Sequence, residues 1–456
     1  MDIPQLISAQ KQFFYTGKTG SVSFRKEMLT KLYGKIQEME PEIHAALKQD
    51  LGKSSTESYM CETGLTLNEI SYMLRHLKSF SRARRVLTPL AQFPSRSYVI
   101  KEPYGCVLVM SPWNYPFLLT LEPMVDAIAA GNTVILKPSA YSPATSAVIR
   151  RLISDIFPPE FVSVVEGGRA ENQTLLDQPF DYIFFTGGTT VGRQVLEKAA
   201  RHLTPVTLEM GGKSPCIVDE SANLKVAARR IAFGKYLNCG QTCVAPDYLL
   251  IQSSVKDRFL SYFQEAVREM YGENPLENPD YGKIINEKHF HRLKGILAGE
   301  TILLGGETRE DTLQIAPTVV CPATPDGPAM GEELFGPILP VLTYENIQEA
   351  IGFVRSRPKP LALYIFSSNR ANITMLQSNL SYGGGCVNDT IIHLATSRMG
   401  FGGVGASGMG SYHGKKGFDT FTHEKSTVDK GTWLDLPMRY QPFTAGKEKL
   451  VRMFLK

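Results

Sequence analysis

The residue in this chain best suited to nucleophilic chemistry is Cys243, which lies in the stretch 238–244 with the sequence NCGQTCV. A helical apolar pattern over 224–236 leads into this stretch, and the apolar run 248–251 after it is typical of a strand. A cysteine on a turn between two elements can be activated as a thiolate, whereas one inside an apolar run usually packs. Because most intracellular cysteines are inert, Cys243 indicates a catalytic thiol only together with other polar residues.

Four other groups of polar residues directly follow short apolar runs, where strands are predicted to end. They are Asn114 in SPWNYP, Lys137 in KPS, the glycine turn TGGTTVG at 186–192, and Glu209 in EMGGK. Each one alone fits a turn or a solvated strand end. Because the carboxyl ends of parallel strands meet at one edge of a sheet, we expect these residues to gather at a single site.

In the glycine turn, four residues separate Gly187 from Gly192. This differs from the G-x-G-x-x-G dinucleotide fingerprint and lacks the Gly-Lys-Ser/Thr ending of a P-loop. A glycine turn that opens a helix still brings backbone N–H groups close to a cofactor. The candidate cofactor-binding residues of this turn are Gly187, Gly188, Thr189, Thr190, Val191 and Gly192.

The order of the predicted elements indicates an α/β fold. Residues 5–85 have helical periodicity, and residues 86–100 are extended and contain two prolines. From residue 104, short apolar strands alternate with helices over 116–130, 143–156 and 191–202, and a second alternating set covers 213–385. This alternation predicts open parallel sheets with helices on both faces. The tail over 386–430 is rich in glycine and aromatic residues.

Composition limits the class of protein. The chain has 456 residues and a net charge of +4, and its basic residues are dispersed, so we expect no nucleic-acid partner. Seven cysteines at irregular spacing, without a Cys-x-x-Cys pair, favour a reducing compartment, here the cytoplasm, and predict no metal site. The start has no leader-like pattern and no apolar run approaches the ~18 residues that span a bilayer. The basic segment 447–456 predicts a surface helix, and we expect no stable membrane anchor.

Together these motifs resemble the aldehyde dehydrogenase superfamily in order and spacing. The matching segments are NYP at 114–116, KPS at 137–139, FTGG at 185–188, LEMGGK at 208–213, GQTC at 240–243 and ELFGP at 333–337. The resemblance spans about residues 100 to 425, and the cysteine and glutamate motifs are its most specific parts. The short N-terminus and the tail segment 400–408, GFGGVGASG, are similar to the class 3 branch, which acts on fatty or aromatic aldehydes.

The resemblance implies a role for each catalytic residue. Cys243 would add to the aldehyde, and the Asn114 amide with the Cys243 backbone N–H would stabilise the oxyanion. Hydride transfer would leave a thioester, which water activated by Glu209 would hydrolyse. A carboxylate at the end of an apolar strand should have a raised pKa, which suits a base that works near neutrality.

The resemblance also implies the cofactor, NAD and/or NADP. Lys137 matches the lysine that binds the adenosine ribose, while Glu333 and Phe335 match the pair at the nicotinamide ribose and ring. Trp113 fits a packing role better than a contact role. Many relatives carry a ribose-binding glutamate three residues after the lysine, but this chain has Ala140. Because such a carboxylate repels a 2′-phosphate, its absence predicts weaker discrimination against NADP.

The family pattern predicts three parts of the chain. Residues 1–80 and 102–208 would form the cofactor-binding domain, and 209–386 the catalytic domain. Residues 81–101 and 387–456 would form bridging segments and a C-terminal tail, and the bridging sheet predicts a homodimer.

The small-molecule partner is predicted to be an aldehyde. Tyr59, Met60, Tyr115 and Ile391 are candidates for the lining of an apolar entry tunnel, although core or surface packing explains them equally well. Two alternatives to oxidation by hydrolysis remain. One is a coenzyme A-acylating or acyl-phosphate reductase that uses the same cysteine, and the other is a non-catalytic binding relative. Retention of Glu209 favours hydrolysis, and retention of Cys243, Glu209 and Asn114 together favours catalysis.

Overall fold

The computed structural model describes residues 2–455, so Met1 and Lys456, at the ends of the first and last predicted segments, lie outside the described residues. Four helices precede the first sheet: α1 Ile3–Tyr15, α2 Val22–Leu51, α3 Ser55–Ser58 and α4 Gly64–Phe80. A π-helical segment, Tyr59–Thr63, joins α3 to α4. The strands β1 Arg84–Val86 and β2 Ser95–Pro103 follow.

The first α/β unit is a six-stranded sheet with helices between its strands. Its elements are β3 Cys106–Met110, α5 Leu118–Ala130, β4 Thr133–Lys137, α6 Pro143–Ile156, β5 Val162–Val164, α7 Arg169–Leu176, β6 Tyr182–Thr186, α8 Thr189–Ala200 and β7 Val206–Glu209. Strands β3 and β4 are buried at every position, as expected for a parallel sheet covered on both faces. The five strands β5, β4, β3, β6 and β7 are parallel neighbours in that order.

The second unit is a seven-stranded sheet. Its elements are β8 Pro215–Val218, α9 Leu224–Tyr236, β9 Tyr248–Gln252, α10 Lys256–Tyr271, α11 Glu287–Leu297, β10 Ile302–Leu304, β11 Thr308–Arg309, β12 Gln314–Ile315, β13 Thr318–Val320, β14 Ile338–Tyr344, α12 Ile347–Arg355, β15 Ala362–Phe366, α13 Arg370–Asn379 and β16 Gly384–Val387. The strand order is β10-β13-β14-β9-β8-β15-β16, in which β10 alone is antiparallel to its neighbour. Strands β11 and β12 form a separate hairpin.

The tail contributes to both the first unit and a third, small sheet. Its elements are β17 Gly408–Met409, α14 Gly414–Thr420, β18 Thr422–Lys430 and α15 Ala445–Phe454. Strand β18 pairs with β2 over nine residues in the antiparallel sheet β1-β2-β18. Strand β17 pairs with the end of β7, with Gly408 opposite Glu209. The predicted α/β fold class, with two parallel-sheet units and a small β segment, is confirmed.

The element bounds follow the predicted ones closely where periodicity is strong. Helix α6 begins and ends at the predicted residues, and α5 begins two residues later than predicted because the Asn-Tyr-Pro turn occupies its start. Gly131, with φ of 106°, ends α5 in the left-handed conformation. In the described range 2–455, no helix is both long and apolar enough to cross a membrane.

Candidate functional site

The loop that carries Cys243 has an unusual backbone. Helix α9 ends at Tyr236, and three successive residues then adopt the left-handed conformation: Asn238 with φ of 51°, Cys239 with 53° and Gly240 with 72°. A Cβ atom on Gly240 would collide with the carbonyl of Gly336, so the position accepts only glycine. This reversal brings the chain back over the end of α9 and presents Cys243 at the wall of a cavity.

The Cys243 thiol is partly exposed to this cavity. Burial, followed by the nearby carboxylates of Glu333 and Glu209, raises the pKa of the Cys243 thiol to about 12. Backbone N–H groups of Cys243 and Val244 lower this pKa, but they do not outweigh burial. The protein groups around Cys243 therefore favour the protonated thiol over the thiolate.

Glu209 occupies the last position of β7, beside Thr186 at the end of β6. Its side chain is fully buried, and neither carboxylate oxygen has a hydrogen-bond partner among residues 2–455. Burial raises the pKa of Glu209 well above its usual range. An unpartnered buried carboxylate is costly in a fold, and such a group close to a thiol is suited to accept a proton from water or from the thiol.

Asn114 lies in the turn between β3 and α5 and is buried. Its Nδ2 donates to the carbonyl of Gln241 at 3.0 Å, which places the amide directly against the cysteine loop. An amide carries two N–H donors, and this hydrogen bond uses one of them. The second is available for an oxyanion formed next to Cys243. The structure thus brings together Cys243, Glu209 and Asn114.

A buried ion pair that the sequence did not single out supports this turn. Lys53, just after α2, donates from Nζ to Glu62 Oε1 at 2.5 Å and to the carbonyl of Asn114 at 3.0 Å. Glu62 Oε2 accepts from the backbone N–H groups of Phe117 and Leu118 at the start of α5. Because both charged side chains are fully buried, the pair links α2, the π-helical segment and the catalytic turn into one rigid unit.

A second contact links the turn to the cysteine loop. Asn238 donates from Nδ2 to the same Asn114 carbonyl at 2.7 Å, and its backbone N–H donates to Glu57 Oε1 at 2.9 Å. The Tyr115 hydroxyl lies 2.7 Å from Thr242 Oγ1. These contacts hold the cysteine loop against the turn that carries Asn114.

Lys53→Met is expected to lower the free energy of unfolding by about 3–5 kcal/mol, because it leaves Glu62 as an uncompensated buried charge. Denaturant unfolding of the purified variant measures this change. The matched control is Lys31→Met in α2, which removes an exposed pair with Glu27 and should cost about 0–1 kcal/mol. Equal stability of the two variants would show that the buried pair does not hold the turn.

The residues predicted to bind a cofactor line the carboxyl ends of the first sheet. Lys137 ends β4, and its Nζ donates to the carbonyl of Gly167 at 2.7 Å. Burial lowers its pKa, while Glu171 and Glu166 act in the opposite direction. Ala140 is exposed nearby. A cation and backbone groups at this edge fit a ribose or phosphate of a dinucleotide.

The glycine turn opens α8, with Gly188 at the N-cap and Thr189, Thr190, Val191 and Gly192 in the first turn. A Cβ on Gly188 would meet open space, whereas one on Gly187 would collide with the Phe185 ring and one on Gly192 with Met210. Both Gly187 and Gly188 are candidate cofactor-binding residues, and a cofactor that moves during the reaction would need room beside them. The structure places that room at Gly188, because the Phe185 ring fills the space at Gly187.

Glu333 and Phe335 reach the site from the loop before β14. Burial, followed by the charge of Asp247, raises the pKa of Glu333 to about 8. Its Oε1 is buried without a hydrogen-bond partner in the described part of the chain, which fits an acceptor for a ribose hydroxyl. The Phe335 ring meets Trp113 edge-on at 5.3 Å, and Trp113 also packs on His289 at 5.3 Å. Trp113 therefore packs behind Phe335.

The cavity at Cys243 has a largely apolar wall. Among the predicted tunnel residues, Met60, Tyr115 and Ile391 line it. Tyr59 does not belong to the wall that the described residues form, and it is 49% exposed. The π-helical segment that begins at Tyr59 turns Met60 and Cys61 toward the cavity and leaves Tyr59 on the outside.

Comparisons with known proteins identify the family of this chain. A model of the aldehyde dehydrogenase family matches residues 1–427. A 4,4'-diaponeurosporen-aldehyde dehydrogenase of Staphylococcus aureus is 51% identical over 456 residues, covering 100% of this chain and 99% of that protein. Aldehyde dehydrogenase family 3 member A2 of Rattus norvegicus is 45% identical over 447 residues, covering 98% of this chain and 92% of that protein.

Solved structures of aldehyde dehydrogenases have the same fold. The substrate-bound state of Staphylococcus aureus AldH superposes with a TM-score of 0.98 at 50% identity and covers 100% of both chains. A betaine aldehyde dehydrogenase of Staphylococcus aureus, in complex with NAD+, superposes with a TM-score of 0.84 at 25% identity and covers 96% of this chain and 88% of that one. The chain belongs to the aldehyde dehydrogenase family. Its similarity to family 3 members confirms the predicted class 3-like branch.

Proposed function

We propose that this protein oxidises an aldehyde to a carboxylic acid with NAD or NADP, through covalent intermediates on Cys243. The Cys243 sulfur adds to the carbonyl carbon, and the thiol proton passes to a nearby base. The Asn114 amide and the Cys243 backbone N–H hold the resulting oxyanion. The bound nicotinamide supplies the hydride acceptor, so that the adduct loses hydride and becomes a thioester.

Hydrolysis of this thioester is assigned to water and Glu209. Glu209 takes one proton from water, the oxygen attacks the acyl carbon, and the carboxylic acid leaves as the Cys243 sulfur is released. The observation that carries the proposal is the unpartnered, fully buried Glu209 carboxylate, close enough to Cys243 to raise the pKa of its thiol. The buried Asp126 carboxylate also lacks hydrogen-bond partners in the described range, so the proximity to Cys243 is what distinguishes Glu209.

Absorbance of the reduced cofactor tests the proposed function. Octanal and NAD or NADP should give sustained formation of reduced cofactor without coenzyme A, together with one octanoate per hydride. Turnover that depends on coenzyme A or phosphate would instead support an acylating reductase. The absence of turnover with aliphatic and aromatic aldehydes would support the non-catalytic alternative.

The substrate class follows from the apolar wall of the cavity. Medium-chain or aromatic aldehydes should be favoured over acetaldehyde, because each buried methylene contributes about 0.8 kcal/mol. The value of kcat/KM should therefore rise about fourfold per carbon over the first additions, measured across the straight-chain aldehydes from acetaldehyde to octanal. Equal efficiency across this series would contradict an apolar entry tunnel.

We propose dual use of NAD and NADP because of Ala140. Without a carboxylate at this position, NAD loses a hydrogen bond of about 1.5–3 kcal/mol, and NADP meets less repulsion beside Lys137. The Glu171 and Glu166 carboxylates near Lys137 limit the gain for NADP.

Ala140→Glu should shift the ratio of kcat/KM with NAD to kcat/KM with NADP toward NAD by about tenfold or more. The matched control is Ala140→Gln, which adds bulk without charge. An unchanged ratio in the Glu variant would show that position 140 does not set cofactor choice.

We also propose a cytoplasmic homodimer. All seven cysteines are unpaired, which supports a reducing compartment. Strands β1 and β18 are the edges of the small antiparallel sheet, and the exposed β1 edge offers backbone groups for pairing with a second copy. The solution mass at micromolar concentration decides this proposal, and the mass of a single chain would contradict it.

A further inference from the structure

The aldehyde cavity carries a polar group on its wall that the proposed reaction does not use. On helix α5, Leu118, Leu119 and Glu122 all line the cavity. Glu122 follows Leu118 by four residues, so it lies on the same helix face about 6 Å further along the axis. This displacement separates Glu122 from Asn114 and the catalytic turn, which precede the helix.

Glu122 is 5% exposed, and its side chain makes no well-aligned hydrogen bond with the described residues 2–455. Its nearest ionisable partner is His413, whose Nε2 lies 3.5 Å from Oε1. The His413 ring is in turn stacked on Phe401 with ring centroids 5.4 Å apart. A carboxyl group without a hydrogen-bond partner on an apolar wall is destabilising unless a ligand supplies the partner.

Burial favours the neutral form of each group. Burial, with a contribution from Glu69, raises the pKa of Glu122 well above its usual range. Burial lowers the pKa of His413 to about 3. The carboxyl group then offers one O–H donor and acceptor oxygens, and the imidazole offers one donor and one acceptor.

The surroundings of this pair disfavour an anionic ligand. Glu69 also lines the cavity, and its Oε1 accepts from the backbone N–H of Gly414 at 2.8 Å. Asp126 follows Glu122 by one turn, and burial raises its pKa well above the usual range. The described residues of the cavity wall include no Lys or Arg, and these acids do not form a metal-ligating group. An anionic group on the ligand would lose its hydration here without gaining a cation.

We propose that Glu122 and His413 form a subsite for a second, uncharged oxygen group on the aldehyde, a hydroxyl or a carbonyl several carbons from the reacting end. This inference rests on the proposed function for the identity of the reacting end. Glu122 is then a specificity-determining residue: it selects bifunctional aldehydes and leaves the chemistry at Cys243 unchanged.

The kinetic test compares octanal with its terminal hydroxy and terminal carboxylate derivatives. The quantity compared is the ratio of kcat/KM for the hydroxy derivative to kcat/KM for octanal. This ratio should be about tenfold lower in Glu122→Leu than in the parent, and the change should appear in KM. Glu122→Gln keeps a donor and an acceptor, so it should retain the ratio within about threefold. The carboxylate derivative should be a poor substrate for the parent.

Asp126→Asn is the matched control, since it changes the next acid along α5, which is not among the described residues that line the cavity. It should leave the ratio unchanged. An unchanged ratio in Glu122→Leu, with octanal still oxidised, would overturn the subsite. Equal losses for octanal and its hydroxy derivative would also overturn it, because they would assign Glu122 a purely structural role.

A binding measurement separates this inference from the proposed function. Octanol and the octane diol with a hydroxyl at each end should both raise the midpoint of thermal unfolding of the parent. The diol should give the larger shift, and Glu122→Leu should remove the difference. If no aldehyde reduces either cofactor, the proposed function fails, but this difference in binding still supports the subsite. Equal shifts for the two alcohols in the parent would contradict it.

Discussion

Cys243→Ala is expected to lower kcat by a factor on the order of 10⁴–10⁶, because the covalent route disappears with the nucleophile. Binding of NAD should be retained, since the residues proposed to hold the cofactor lie on β4, the start of α8 and the loop before β14. Calorimetric titration with NAD and absorbance of the reduced cofactor measure the two properties separately.

The matched control for this variant is Cys239→Ala, four residues earlier in the same loop. Cys239 is fully buried and packs against Tyr281 rather than the cavity, and burial raises the pKa of its thiol. Its removal should leave kcat within about threefold of the parent, as for a small core substitution. Full activity in Cys243→Ala, or equal loss in both variants, would show that Cys243 is not the nucleophile.

Glu209→Gln is expected to release one reduced cofactor per site rapidly and then to stall, with steady-state turnover lowered by about 10²–10⁴. Glutamine fills the same space, but its amide cannot accept a proton from water. Rapid-mixing absorbance measures the first turnover, and Asp126→Asn is the control for loss of a fully buried acid. A steady-state rate equal to that of the parent would rule out Glu209 as the base.

The sign of the pH dependence follows from the raised pKa of Glu209. A base must be deprotonated to act, so thioester hydrolysis should increase as pH rises through this pKa. In Glu209→Gln that rising limb of the pH profile should disappear, because the group that titrates has been removed. A rising limb with the same midpoint in the variant would assign it to another group.

The parts of the fold that could be predicted from the sequence are those encoded by short-range patterns. The apolar run of β3 and the helical periodicity of α6 are each visible within a short stretch of sequence. The alternation of strands and helices, and with it the parallel sheets, could therefore be predicted. Helix α7 was missed because it is only eight residues long and mostly polar. The pairing of β17 with β7 joins residues about 200 apart in sequence, and no local signal indicates such a pairing.

The same distinction applies to the candidate site. Cys243, Glu209 and Asn114 stand at strand and helix ends, where polar residues after apolar runs are conspicuous. Lys53 lies in the connection after α2 and Glu62 in the π-helical segment, and charged residues at such positions usually face solvent, so their burial depends on tertiary packing that the sequence does not display. Tyr59 was misplaced for a related reason, since a π-helical segment changes the face on which each residue lies.

In the proposed reaction, Cys243 carries the acyl group until water activated by Glu209 removes it. Intact-mass measurement of Glu209→Gln after mixing with octanal and NAD detects this acyl group, with Cys243→Ala/Glu209→Gln as the control. We expect the single variant to gain the mass of one octanoyl group, located on the peptide that contains Cys243, and the double variant to gain nothing. An unmodified Glu209→Gln protein after one hydride transfer per site, or an octanoyl group on another residue, would contradict it.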